Sequence, residues 1–151
     1  MARFRYKMQN ILSIKEKMET QARQAFGDAK RNLDEKQAEL DALYVKLDEI
    51  ERHAVEVLKG NLNMHDIEDS QMSRIICNEQ IAAQKVRVRK AQEALEAARS
   101  ELEDAVKERK THEKLKEKQF DEFVREENRS ESKSIDELTT YTYGQKVTDN
   151  G

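Results

Sequence analysis

Apolar residues recur along this chain with a period of seven, split into steps of three and four. From Ala22 to Val57, Phe26, Leu33, Leu40, Leu47 and Ala54 hold one seam position. Ala22, Ala29, Leu43, Ile50 and Val57 hold the other, with Lys36 as the polar exception. This repeat predicts a helix that buries a narrow stripe against a second helix. Upstream, Phe4, Ile11, Met18 and Ala25 repeat every seven residues with Met8 and Ala22 between them, one residue out of step with the later register. That offset predicts a local supercoil adjustment inside one helix over residues 3–59. Gly27 interrupts it at a cost of only ~1 kcal/mol.

Residues 60–66, Gly-Asn-Leu-Asn-Met-His-Asp, read as a turn. Gly60 is suited to a left-handed helix stop, and Asn63 or Asp66 to capping the next helix. Asp66, Glu68 and Asp69 then fall in the first turns of that helix, where carboxylates are favoured by the helix dipole. The second helix is expected over residues 67–140. Its seam runs Ile81, Gln84, Val88, Ala91, Leu95, Ala98, Leu102, Ala105, then weakens through Arg109, His112 and Lys116 before Phe120, Phe123 and Val124. A turn centred near residue 63 sets Leu40 against Val86 and Val88, and Phe4 against Phe120 and Phe123. Residues from 125 onward then overhang the first helix, with Ile135 and Leu138 as apolar anchors. Residues 141–151 lose the period and are expected to fray. The fold class is therefore all-α, two long helices in an antiparallel coiled-coil hairpin, as a single domain.

Composition sharpens this picture. Charged residues make up 39% of the chain, Pro and Trp are absent, and 28 basic residues nearly offset 31 acidic ones, leaving a net charge of -3. So little large apolar content cannot build the thick core that encloses a catalytic pocket. The near balance of charge offers no global attraction to nucleic acid or anionic lipid. No apolar run approaches the ~20 residues of a membrane span, so direct insertion is not expected. The opening residues lack the apolar stretch of a secretion signal, and the cytoplasm is the expected compartment. Cys77 is the only cysteine, which excludes a disulfide framework within the chain.

Candidate chemistry is sparse. His53, His65 and His112 are widely separated, and none has a second His or Cys at ligand spacing. The many carboxylates alternate with Lys and Arg on what should be solvated faces, where no catalytic pKa develops. Four glycines make no phosphate-binding loop. Neither metal nor cofactor is expected, and the chain is not expected to be an enzyme. Two basic stretches, Lys85 to Lys90 and Lys107 to Lys118, lack interleaved aromatics, and the second is interspersed with glutamates, so nucleic-acid binding is disfavoured. One stripe on the second helix, Ser73, Cys77, Gln80 and Gln84, is bordered by Met72, Ile75 and Ile76, more apolar than an exposed flank requires. These residues either cover Leu47, Ile50 and Ala54 opposite or meet a partner.

The opening Phe4-Arg5-Tyr6-Lys7, followed by Ile11-Leu12-Ser13-Ile14-Lys15-Glu16-Lys17, resembles the start of the FliJ family, components of the flagellar type III export apparatus. The segment from His112 to Phe120, then Glu127-Asn128-Arg129 and Ile135-Asp136-Glu137-Leu138, is similar to that family's C-terminal region. The resemblance implies a cytoplasmic, stalk-like protein at the inner face of the membrane. It would bind the hexameric flagellar export ATPase, promote its ring assembly and activity, and link it to the membrane export gate and to export chaperones. It places ATPase contact at the end where the termini meet: Phe4, Arg5, Tyr6, Ile11, Leu12 and Lys15 on one arm, and Phe120, Phe123, Arg125 and Arg129 on the other. It places gate contact at Met72, Ser73, Ile76, Cys77, Gln80 and Gln84, with Ser73 and Cys77 standing where the family has bulky apolar residues. Competing readings are another coiled-coil stalk, such as a rotary ATPase stalk or its virulence-secretion counterpart, and a nucleic-acid or membrane-surface binder using the basic stretches.

Overall fold

The computed structural model describes residues 3–149, and the side chains of residues 3–145. Two helices, α1 (Gln9–Lys59) and α2 (Met64–Asp149), pack as a helical hairpin. The connection is shorter than the expected turn. Asn63 starts α2: its side-chain oxygen accepts the backbone N–H of His65 at 3.0 Å, and its carbonyl accepts that of Ile67 at 3.1 Å. Asn63 is thus the cap, and Asp66 sits within the first turn. No glycine among the described residues has positive φ, so the left-handed stop expected at Gly60 does not form.

By packing, the chain divides into a turn unit, residues 20–104, and a terminal unit made of residues up to 19 and from 105 onward. In the turn unit the predicted seam is realised. Leu40, Cys77, Ile81 and Val88 form its buried cluster, with Leu33, Leu43, Leu47 and Ile50 packed against it. Val88 meets this cluster as expected, whereas Val86 is 45% exposed and faces away. The α2 seam also reaches back to Ser70 and Ile67, which are buried and half-buried.

The terminal unit departs from expectation in three ways. Residues 3–8 are not helical. Phe4 and Tyr6 face inward while Arg3, Arg5 and Lys7 are exposed, the two-residue alternation of an extended segment. The Gln9 N–H bonds the Tyr6 carbonyl at 3.2 Å, and α1 begins with no acidic residue in its first turn. Second, the one-residue register offset is absent. The inward positions are Leu12, Lys15 and Glu19, whose three-four spacing matches the later seam, while Ile11 and Met18 are 39% and 44% exposed. Hydropathy misleads here because the inward polar groups have partners across the unit. Third, α2 runs on through residues 141–149, beyond its expected end at residue 140, and residues 150 and 151 of the expected tail lie outside the described residues. Thr139, Thr140 and Thr142 fold their hydroxyls back onto the carbonyls four residues earlier, each at 2.9 Å, so polarity without period still satisfies a helix.

Candidate functional site

Within the terminal unit, an aromatic contact ties the extended N-terminal segment to α2. The Phe4 ring meets Phe120 edge-on, with centroids 5.2 Å apart at 76°, and Phe123 at 5.5 Å with a 50° tilt. This is the juxtaposition expected from the turn position. Beside it, Tyr6 and Leu12 are 7% and 2% exposed. Lys15 donates to Glu108 at 2.8 Å, and Lys116 to Gln9 at 2.8 Å. Arg109 donates through Nε to the buried Glu19 carboxylate and through Nη1 to Glu113 at 2.7 Å.

These pairs set the local electrostatics. The Glu108 carboxyl is held below its ordinary value, first by the hydrogen bond from Lys15 and then by that ammonium's charge, with a smaller contribution from His112. The Arg109 guanidinium is raised, by its bond to Glu113 first and to Glu19 second. Neither shift favours acid–base chemistry at neutral pH. Both stabilise charged forms.

The ten candidate ATPase-contact residues therefore gather in one unit but divide by accessibility. Arg5, Ile11, Phe120, Arg125 and Arg129 are exposed, and Arg129 lies 3.8 Å from Glu126. Phe4, Lys15 and Phe123 are half-buried, and Tyr6 and Leu12 are buried.

The second candidate site lies in the turn unit and is less coherent than its sequence spacing implied. Met72, Ser73, Ile76 and Gln80 are exposed, but Cys77 and Gln84 are 1% and 2% exposed. The Cys77 thiol donates to the Leu43 carbonyl at 3.6 Å. The Gln84 amide donates to the Lys36 carbonyl and to Glu39, each at 2.9 Å, and its oxygen accepts from Arg87 at 3.0 Å. Both residues face α1, so they cannot form part of an outward stripe. The large apolar residues that remain on the surface beside Ser73 and Gln80 are Met72, Ile75 and Ile76, at 56%, 52% and 46% exposure. Their i, i+3, i+4 spacing makes one patch. Ile75 appeared in the sequence only as a border residue, although its spacing was the available signal.

A shallow open groove between the helices, lined by Leu43, Lys46, Gln80 and Arg87 among others, encloses no reactive group. Among the described residues, no cluster of three potential metal ligands occurs, and no helix is long and apolar enough to cross a membrane.

The family model for the flagellar FliJ protein matches residues 4–148. The chain belongs to the FliJ family. Among curated proteins, none matches the sequence. Among solved structures, the fold is similar to that of a YscO homologue, CT670 from Chlamydia trachomatis, with a TM-score of 0.61 and 23% identity. The match covers 93% of this chain and 96% of that one. As a FliJ-family member, the protein is a component of the type III export apparatus.

Proposed function

We propose that this chain is the stalk-like, non-enzymatic FliJ component that binds the hexameric flagellar export ATPase, promotes its ring assembly and activity, and connects it to the membrane export gate. It acts at the cytoplasmic face of the membrane and also engages export chaperones. The observation that carries this reading is the family match over nearly the whole chain. The flagellar partner set is preferred to a virulence-secretion set because the matching family is the flagellar one, whereas the likeness to the chlamydial YscO homologue concerns the fold.

The terminal unit supplies the ATPase contact, with Arg5, Ile11, Phe120, Arg125 and Arg129 as its exposed face and Phe4, Tyr6, Leu12, Lys15 and Phe123 behind it. The gate contact centres on Met72, Ser73, Ile76 and Gln80, joined by Ile75, while Cys77 and Gln84 support it from the seam. The test is the hydrolysis rate of the cognate export ATPase, titrated with the intact protein and with forms lacking residues 1–15 or 125–151. Stimulation by the intact chain, lost in both truncations, is expected. An intact chain that neither binds the ATPase nor changes its rate would sink the assignment.

A further inference from the structure

The two units are held by different balances of apolar and polar contact. In the turn unit, Leu40, Cys77, Ile81 and Val88 make a continuous apolar cluster. In the terminal unit, the inward positions of α1 include Leu12, Ser13, Lys15 and Glu19, and those of α2 include Ala105, Val106, Arg109, His112, Glu113, Lys116, Gln119 and Phe123. Most are polar or charged, and the main apolar contact across the unit is Phe4 on Phe120 and Phe123. The bonds that cross between the helices there include Lys15 to Glu108, Arg109 to Glu19, and Lys116 to Gln9. The Lys15–Glu108 pair has access to solvent and weakens with ionic strength, the covered Glu19–Arg109 pair is screened less, and such pairs stabilise less than an apolar seam of equal length.

We propose that the terminal unit is an electrostatic clasp. Residues 4–19 separate from residues 105–123 as one element, under salt or on loss of the Glu19–Arg109 pair, while the turn unit stays closed. In the closed clasp, Tyr6 and Leu12 are covered. Opening therefore exposes an apolar surface that the closed form withholds, an autoinhibitory contact within the chain. The clasp is a property of this chain alone. Its role as a gate on ATPase docking rests on the function proposed above.

Charge pairing across the unit leads to a specific expectation. Glu19→Leu alone removes the acid that faces Arg109 and opens the clasp. Glu19→Leu together with Arg109→Leu replaces the pair by an apolar seam, which closes the clasp and removes its response to salt.

The experiment measures distances between spin labels on the full-length chain with Cys77→Ala. One label pair sits at the exposed Lys17 and Lys110 in the terminal unit, and a control pair at the exposed Asp48 and Asn78 in the turn unit. At low salt both pairs should give one short distance. At ~1 M salt, where the Debye length shrinks to about 3 Å, the terminal pair should gain a long-distance population at least twofold above its low-salt level. The control pair should not change. Glu19→Leu should show the long population already at low salt, and the double leucine variant should show none at either salt. A single short terminal distance in every sample, or lengthening of both pairs together, would overturn the clasp. Because no ATPase is present, that failure is separate from any failure of the proposed docking.

Discussion

The Gln84 side chain donates its amide to the backbone carbonyl of Lys36 at 2.9 Å. The polar exception in the α1 seam of the turn unit therefore lies opposite a polar residue in the α2 seam, and every polar atom of the Gln84 side chain has a partner. A satisfied buried amide adds little net stability but penalises any slip of one helix along the other.

Two substitutions at this layer should separate those effects. Gln84→Ala removes the bonds and leaves a cavity, and is expected to cost about 2 kcal/mol in urea unfolding followed by circular dichroism. Gln84→Leu paired with Lys36→Leu should change stability by less than about 1 kcal/mol while relaxing specificity. Sedimentation should then show associated species in the double leucine protein that the parent lacks. A double variant that stays monodisperse beside its parent would remove the register role.

Acid should act on the terminal unit through Glu108. Its carboxyl is depressed in the folded chain, chiefly by the hydrogen bond from Lys15, relative to an ordinary value of 4.5. The folded state thus prefers the carboxylate. The stabilisation is fully present above the ordinary value and disappears as pH falls through the depressed one. Glu108→Gln should therefore melt slightly below the parent at neutral pH, with the two curves converging as the pH falls through the depressed Glu108 value. Added salt should narrow the neutral-pH gap. A gap that persists unchanged in acid would point to packing rather than charge.

Much of the hairpin could be read from residue types alone, because Leu33, Leu40, Leu47, Ile81 and Val88 occupy seam positions that only a paired helix explains. The terminal unit was harder to read for the same physical reason that makes it distinct. Glu19 is inside and Met18 is 44% exposed, an inversion that no hydropathy rule anticipates when an arginine waits across the interface. The alternation Arg3, Phe4, Arg5, Tyr6, Lys7 was visible, but five residues of period two are easily absorbed into an adjacent helix. At the candidate gate stripe, Gln84 already stood in the α2 seam between Ile81 and Val88, and Cys77 lies one seam step before Ile81. The burial of Gln84 was legible in that seam, and that of Cys77 would have been had the seam been extended back past Ile81.

Gly27 offers a test of helix propensity free of packing. A methyl group there would meet nothing closer than the Arg31 guanidinium at 3.7 Å, an ordinary contact with a flexible side chain. Gly27→Ala should raise unfolding stability by up to about 1 kcal/mol, with no change in how the turn unit packs. Guanidinium titration would measure it. A loss of stability would mean that the α1 backbone at Gly27 departs from regular helix.

The pair Ile76 and Cys77 are neighbours in sequence with opposite exposure, 46% against 1%, and they separate a docking role from a folding role. Ile76→Ala removes surface that touches no buried cluster and should shift stability by less than about 0.5 kcal/mol. If the Met72, Ile75 and Ile76 patch meets the export gate, the same change should weaken binding to the gate's cytoplasmic portion severalfold. Cys77→Ser puts a hydroxyl into the Leu40, Ile81 and Val88 cluster and should cost about 1–3 kcal/mol, with gate affinity unchanged once the chain is folded. Thiol labelling gives an independent check, since a buried Cys77 should react only at the rate at which the turn unit opens. If Cys77→Ser weakened gate binding at temperatures where the chain remains folded, while Ile76→Ala left it intact, the docking face would have to lie on the seam side of α2, and the outward patch would lose its assigned role.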